Sequence, residues 1–181
     1  MTIRPAKVDD AAALLSIYAY YVEQTAVTFE YNVPTEEEFA HRIAAISAKY
    51  PYLVLEDGGE ILGYAYAGTF KGRAAYDWAV ETTVYLRRDA RGKGYGEKLY
   101  AALEKELQAR HFLNAYACIA YSEREDDTLT HASPLFHERM GYALCGTFHQ
   151  CGYKFDRWYD MIWMEKMLGE HKTDPEPVRK A

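Results

Sequence analysis

Apolar residues recur at helical spacing in four segments of this chain, which predicts four helices. The first covers residues 11–22 behind Asp9 and Asp10, either of which can cap a helix. The second opens at a capping box formed by Thr35 and Glu38. The third covers residues 96–110 and the fourth residues 133–140, where Gly141 ends it. The apolar stripes of the first three are Ala11, Leu15, Tyr18, Val22; Phe39, Ile43, Ile46; and Tyr95, Leu99, Leu103, Leu107.

Alternating or continuous apolar runs predict strands between these helices. They cover residues 52–56, 61–70, 78–87, 115–120, 142–150 and 155–167. The first two are joined through Asp57, Gly58 and Gly59, a hairpin signal. With a strand at the N-terminus the order is β-α-α-β-β-β-α-β-α-β-β, which predicts an α+β domain around one mixed, mostly antiparallel sheet.

Composition limits the class of protein. The 181 residues are 49% hydrophobic and 15% aromatic, which suits one domain with a good-sized core, here residues 1–168. From Gly169 the apolar pattern ends, so we expect a loose tail over residues 169–181. A net charge of −6 argues against nucleic acid as the main partner. The chain shows no signal peptide or membrane-spanning pattern, and its three cysteines form no C-x-x-C motif, so a cytoplasmic protein with free thiols is expected.

A glycine-rich loop lies between the strand at 78–87 and the helix at 96–110. It reads Arg91-Gly92-Lys93-Gly94-Tyr95-Gly96. Such a loop before a helix N-terminus can bind a phosphate or pyrophosphate, because unpaired N–H groups and the positive end of the helix dipole point into it. The spacing fits neither the dinucleotide fingerprint nor the Walker A motif. The loop therefore predicts another phosphorylated ligand.

The loop pattern R-x-x-G-x-G resembles the acetyl-CoA loop of the GCN5-related N-acetyltransferases (GNAT). Other stretches resemble one branch of that family, the phosphinothricin and methionine-sulfoximine N-acetyltransferases. They are residues 64–68 (YAYAG), 75–78 (AYDW), 81–86 (ETTVYL), 137–142 (HERMGY) and 152–158 (GYKFDRW). The resemblance covers about residues 1–168 and implies the GNAT fold, with acetyl-CoA as cosubstrate.

Two residues are candidates for proton transfer. An amine must lose a proton to attack a thioester, and Glu81 occupies the position of the family's catalytic glutamate, although strand alternation alone would favour a surface residue. His137 matches the histidine that this branch carries where other members have a tyrosine general acid. A histidine can supply a proton to the departing thiolate near neutral pH, although a structural helix histidine is an equal alternative.

The resemblance also assigns the binding residues. The strand segment Val84, Tyr85 and Leu86 would pair with the pantetheine arm. The pyrophosphate would lie on Arg91, Gly92, Lys93, Gly94, Tyr95, Gly96 and Glu97, and Thr130 stands where relatives carry a pantetheine-binding asparagine. An acidic group of the substrate would bind at Lys71, Gly72 and Arg73, with Thr82 and Thr83 beside it. His149 and Cys151 fall short of a zinc pattern, so we expect no metal.

These features predict an enzyme that acetylates the α-amine of a small amino acid or analogue by direct transfer. Two alternatives remain open: a GNAT acting on a polyamine, an aminoglycoside or a protein N-terminus, and a CoA-binding module without catalysis. The aromatic stretch 152–163 contains Phe155, Trp158, Tyr159 and Trp163 beside Lys154 and Arg157, a composition typical of interface centres. We therefore expect a homodimer, with packing of these aromatics into the monomer's own core as the alternative.

Overall fold

The computed structural model describes residues 1–180 and contains the eleven elements in the predicted order. They are β1 Thr2–Pro5, α1 Ala11–Gln24, α2 Glu36–Ser47, β2 Tyr52–Asp57, β3 Glu60–Thr69, β4 Ala79–Leu86, α3 Tyr95–Ala109, β5 Asn114–Tyr121, α4 Ala132–Arg139, β6 Ala143–Lys154 and β7 Arg157–Met167. The predicted α+β class and the element order are confirmed.

One seven-stranded sheet runs in the order β1-β2-β3-β4-β5-β7-β6, and only β4 and β5 are parallel. Their pairing is short, joining residues 79–81 of β4 to residues 114–116 of β5. Beyond Glu81 and Tyr116, β4 stays paired with β3 and β5 with β7. The sheet therefore divides in the middle and leaves a wedge between the two strands.

Helices cover both faces of the sheet. The fully buried Leu99, Leu103 and Leu107 of α3 pack into the larger core on one face, as the stripe predicted. Leu14 of α1 and Ile43 of α2 pack into a second core on the other face. Burial of this much apolar surface from both sides holds the divided sheet together.

The side-chain caps predicted for α1 and α2 have different outcomes. Thr35 caps α2, since its hydroxyl accepts the N–H of Glu38 at 3.1 Å, but the Glu38 carboxylate pairs with Arg42 instead of completing the predicted capping box. Asp10 does not cap α1 with its side chain; its carboxylate instead accepts the N–H of Lys7 at 2.7 Å and pairs with Arg4. Of the predicted α1 stripe, Leu15 is only partly buried but still packs against the second core.

The two hairpin turns also differ from each other. Gly58 and Gly59 have φ values of 59° and 85°, and they join β2 to β3 as predicted. For the last hairpin the sequence pattern predicts a strand that starts at Phe155, and this start is wrong. Phe155 and Asp156 have φ values of 48° and 56° and form the turn, while β6 continues to Lys154. Non-glycine residues rarely adopt this conformation, so the pattern contained no signal for the turn.

Residues 169–180 form no helix or strand but contact the domain. The Trp78 indole donates to the Glu176 carbonyl at 2.8 Å, and the Arg179 N–H donates to the Arg110 carbonyl at 3.0 Å. Lys180 pairs with Asp77 at 2.9 Å. Whether this tail is loose stays a prediction. Of the helices within residues 1–180, none is long and apolar enough to cross a membrane.

Candidate active site

The wedge exposes backbone groups of β4. The Arg87 N–H donates to the Leu62 carbonyl of β3 at 2.8 Å. Because backbone direction alternates along a strand, Val84 and Leu86 turn their N–H and C=O groups into the wedge. Tyr85 turns its backbone to β3 instead and packs its ring edge-on against Tyr21. Of the three residues predicted to pair with pantetheine, only two direct backbone groups to the wedge.

One of these two already has a partner. The Tyr21 hydroxyl of α1 donates to the Leu86 carbonyl at 2.7 Å and accepts the Leu86 N–H at 3.2 Å. Sequence reasoning missed Tyr21, and its only signal was its place beside the apolar stripe of α1. The backbone groups of Val84 therefore offer the better place for an added amide chain.

The glycine loop has the predicted form. Gly92 and Gly94 have φ values of 73° and 74°, a conformation that glycine adopts without strain, and a Cβ at either would meet no atom within 4 Å. Gly96 has another role, since a Cβ there would lie 3.2 Å from the Phe136 ring of α4. α3 begins at Tyr95 without a side-chain cap, so its first N–H groups remain available to an anion. The loop fits a pyrophosphate.

A groove of about 280 Å³ runs beside this loop, and we call it the Arg91 groove. The Arg91 guanidinium stacks over the rings of Tyr20 and Tyr21, at 5.2 and 4.8 Å from their centroids. The exposed Thr130 also lines the groove, and its contact with pantetheine stays a prediction. The groove's other lining residues are Thr25, Val27, Val84, Leu86, Gly96, Asp127, Thr128, Leu129, Ala132, Ser133 and Phe136. Lys93 and Glu97 are exposed, and Glu97 lies 3.8 Å from Arg139.

A second cavity of about 540 Å³ lies at the point where the strands separate, and we call it the Glu81 cavity. It shares Val27, Val84 and Ser133 with the Arg91 groove, so the two spaces adjoin. Its other lining residues are Thr28, Phe29, Tyr66, Glu81, Thr82, Thr83, Tyr85, Tyr100, Ala117, Cys118, Ile119, Ala120, His137, Cys151 and Met161. Most of them are apolar or aromatic with a few polar groups among them, which is typical of a small-molecule site.

Glu81 lies at the last paired position of β4 and faces this cavity. Burial raises the pKa of its carboxyl above the usual value, and Lys71 partly offsets that rise. Lys71 is held on aromatic rings, with its ammonium 5.1 Å from the centroid of Phe70 and 5.8 Å from that of Trp163. A partly desolvated carboxylate beside a cation can accept a proton from a bound amine.

His137 lies on α4 and is almost fully buried. Burial lowers its pKa to about 4, so the ring is neutral at pH 7. Its Nδ1 lies 2.8 Å from the Ser133 carbonyl and its Nε2 lies 2.9 Å from the Tyr100 hydroxyl. Since the carbonyl can only accept, Nδ1 carries the proton, and Nε2 is the acceptor that faces the Tyr100 hydroxyl. That hydroxyl also lies 3.0 Å from Thr82 Oγ1 and has one proton for the two acceptors. Tyr100 was missed by the sequence analysis, where it was one more aromatic residue of α3.

The remaining predicted substrate residues are only partly brought together. Thr82 is buried and donates to the Tyr116 carbonyl at 3.1 Å, while Thr83 lies beside Tyr66. Gly72 and Arg73 are exposed on the loop before β4, and neither lines the Glu81 cavity in the part of the chain described. Among residues 1–180 no three His, Cys, Asp or Glu side chains lie together as metal ligands would.

The chain is similar to known proteins in both sequence and structure. Residues 3–163 match the family model described as acetyltransferase (GNAT) domain. The chain is 36% identical to a phosphinothricin N-acetyltransferase of Streptomyces viridochromogenes, over 98% of this chain and 92% of that one. It is 33% identical to an L-methionine sulfoximine/L-methionine sulfone acetyltransferase of Salmonella typhimurium, over 94% and 96%. A phosphinothricin acetyltransferase structure from Sinorhizobium meliloti, in complex with AcCoA, superposes with a TM-score of 0.88 at 35% identity, covering 97% and 92%.

The chain therefore belongs to the GNAT acetyltransferase family. Within it, the chain falls in the phosphinothricin N-acetyltransferase branch and is an acetyl-CoA-dependent N-acetyltransferase.

Proposed function

We propose that this enzyme acetylates the α-amine of a small amino acid or analogue of the phosphinothricin or methionine-sulfoximine type. The observation that carries the proposal is the position of Glu81, which faces a mostly apolar cavity adjoining the groove beside the glycine loop. Acetyl-CoA would lie with its pyrophosphate on the loop from Arg91 to Glu97 and its pantetheine along Val84. Its thioester would then reach the junction of the two spaces.

The reaction is a direct transfer. Glu81, or a water bound to it, accepts a proton from the acceptor's ammonium, and the amine attacks the thioester carbonyl. The carbon–sulfur bond breaks, the amide forms, and the CoA thiolate leaves and takes up a proton. Lys71 would attract the acceptor's acidic group, since its charge acts on Glu81, although Lys71 itself does not line the cavity.

We propose that His137 contributes to the proton supply as a neutral ring and not as an imidazolium acid. With a pKa of about 4, the imidazolium is a minor species at neutral pH. We propose that the Tyr100 hydroxyl, which lines the Glu81 cavity and lies 2.9 Å from His137 Nε2, gives its proton to the departing thiolate and takes up another from water. The neutral ring holds that hydroxyl in place.

We further propose a cytoplasmic homodimer with residues 1–168 as its catalytic unit. Acetyl-CoA is an intracellular cosubstrate, and the three cysteines are free. β6 is an edge strand whose Leu144 and Phe148 are 60% and 55% exposed. The predicted interface aromatics divide between two roles, because Phe155 and Trp158 are exposed whereas Tyr159 is buried in the monomer's own core.

An acceptor screen tests the proposed activity. Wild type and Glu81→Gln would be mixed with acetyl-CoA and one acceptor at a time, and free thiol followed with a dye. We expect turnover with phosphinothricin, methionine sulfoximine or methionine sulfone, and a kcat about 10²–10⁴-fold lower for Glu81→Gln. Turnover only with a polyamine, an aminoglycoside or a peptide would contradict the substrate class. Binding of acetyl-CoA without thiol release from any acceptor would contradict catalysis.

A further inference from the structure

Two cationic side chains flank the turn between β6 and β7, and both contact loops outside the hairpin. Lys154 and Arg157 are paired across the end of the hairpin, on either side of the turn residues Phe155 and Asp156. Directly opposed residues of an antiparallel pair share one face. The side chains of Lys154 and Arg157 therefore extend from the same face of the hairpin, towards two neighbouring loops.

Lys154 binds the loop that follows α1. Its side chain is almost fully buried, and its ammonium donates to the carbonyls of Val22, Thr25 and Thr28 at 2.7, 2.8 and 2.8 Å. An ammonium has three N–H donors, so these three carbonyls use all of them. The site also lies at the C-terminal end of α1, where the helix dipole favours a cation.

The same loop is held to the hairpin at two further points. The Tyr31 hydroxyl donates to the Tyr153 carbonyl at 2.5 Å. Phe29 packs onto Gly152 so closely that a methyl group there would overlap its ring. The hairpin therefore determines where Val27, Thr28 and Phe29 form the wall of the Glu81 cavity.

Arg157 binds the acidic loop that follows β5. Its guanidinium pairs with Asp126 and donates to the Ser122 hydroxyl at 2.6 Å. Asp126 in turn accepts the N–H groups of Thr128 and Leu129 at 2.8 and 3.0 Å. This loop forms one wall of the Arg91 groove through residues 127–130, and none of these four lines the Glu81 cavity.

The two loops also meet each other beside the groove. The Ala26 N–H donates to the Thr128 carbonyl at 2.9 Å, and the Thr128 hydroxyl lies 2.9 Å from that of Tyr159 on β7. Beneath this contact, Ala26, Leu129 and Tyr159 form a small buried cluster. One hairpin end thus supports two loops that together cover the groove.

We propose that Lys154 and Arg157 are positioning residues, which hold the two loops that enclose the bound cosubstrate and acceptor. The assignment of the Glu81 cavity to the acceptor rests on the proposed function. The Lys154 loop lines both spaces, whereas the Arg157 loop lines only the Arg91 groove. Loss of Lys154 therefore affects both ligands, and loss of Arg157 affects acetyl-CoA alone.

Lys154→Met and Arg157→Met test this division, with Lys166→Met as the matched control. Lys166 is also a lysine of this hairpin and bonds a backbone carbonyl, that of Met140, but it lines neither space in the described chain. We expect Arg157→Met to raise the acetyl-CoA KM about tenfold without changing the acceptor KM. Lys154→Met should raise both KM values, and Arg157→Lys should restore part of the loss. The control should leave both values unchanged.

A merely structural role gives a different result, because a smaller folded fraction lowers kcat and leaves both KM values as they are. That result, or an acceptor KM raised by Arg157→Met as much as the acetyl-CoA KM, would overturn the proposal. If Lys154→Met does not fold, Arg157→Met still tests the proposal, because Arg157 is partly exposed. Titration with acetyl-CoA alone needs no acceptor, so it tests the proposal even if none of the proposed acceptors is a substrate. The proposal requires that Arg157→Met binds acetyl-CoA more weakly than wild type and that Lys166→Met does not.

Discussion

At the scale of single residues, the pKa values of the ionisable groups in the site depend strongly on their surroundings. Glu81 and His137 both lie in the wall of one cavity, and both are largely withdrawn from water. Burial disfavours the charged form, so it raises the pKa of the acid and lowers that of the base. At neutral pH the imidazole of His137 is therefore neutral, since its pKa is about 4.

The first prediction concerns the acid limb of the pH–rate profile. Glu81 must be ionised to accept a proton, so kcat/KM for the acceptor falls as the pH drops through its pKa. Lys71 lowers that pKa, and Lys71→Met removes the cation. We expect the acid limb to move to higher pH in this variant but not in Lys105→Met, which removes an exposed lysine of α3. An unmoved limb would exclude Glu81 as the titrating base.

The second prediction concerns stability in acid. His137 has a pKa of about 4 in the folded protein and about 6.5 when unfolded, so between these values the unfolded chain binds the extra proton. Stability therefore falls as the pH drops from about 6.5 to 4, by about 3 kcal/mol. Urea unfolding across this range should show a flatter dependence for His137→Gln than for wild type. His41→Gln, an exposed histidine, should leave the slope unchanged, and equal slopes in all three proteins would contradict the burial effect.

At the scale of elements, the site is formed where β4, β5 and the start of α3 meet. The two strands separate after only three paired positions, which frees the backbone of β4. The N-terminus of α3 opens towards the same space through a loop that needs glycine at two positions. A strand edge and a helix N-terminus supply N–H donors for an amide chain and an anion, respectively.

The third prediction compares two isosteric substitutions at Gly94. Its φ is 74°, the space around it is open, and asparagine and aspartate tolerate this conformation better than most residues. Gly94 is also the N-cap of α3, where both side chains favour the helix. We expect Gly94→Asn to keep much of the rise in melting temperature that acetyl-CoA causes. Gly94→Asp should lose it through repulsion of the phosphates, and a wild-type rise in that variant would mean that the pyrophosphate binds elsewhere.

At the scale of the whole molecule, the two edges of the sheet are unlike. β1 is a short edge strand of four residues, whereas β6 is an edge strand of twelve with mostly exposed residues. A long edge with exposed apolar side chains is a surface on which another chain can pair or pack. A second copy of the chain covers this surface in the assembly proposed above.

The fourth prediction is therefore a symmetric dimer. Light scattering at micromolar concentration should give about twice the chain mass of 20.8 kDa. Phe148→Asp places a charge on the exposed face of β6 and should give a folded monomer. Val8→Asp should remain dimeric. It makes the same kind of change at an apolar residue that is 48% exposed and lies outside β6. A stable wild-type species of 20.8 kDa would rule the dimer out.

Sequence alone was sufficient for the order of elements, the glycine loop and the family. These depend on local signals: apolar spacing, the φ preference of glycine, and short motifs such as the one containing Glu81. The partner of the Leu86 backbone, by contrast, could not be predicted from local signals. The Leu86 N–H and C=O are bound by Tyr21, 65 positions earlier, and no local pattern records such a contact.

Only the tertiary structure decided the charge state of His137 and the role of Lys154. The pKa of a buried group depends on all the atoms that exclude water from it, and Tyr100, which bonds the His137 ring, lies 37 positions earlier in the chain. Lys154 belongs to a recognisable motif, yet its three carbonyl partners lie more than 120 positions away. Local spacing determines which elements form, whereas desolvation and distant hydrogen bonds, which exist only after the chain has folded, determine what their side chains do.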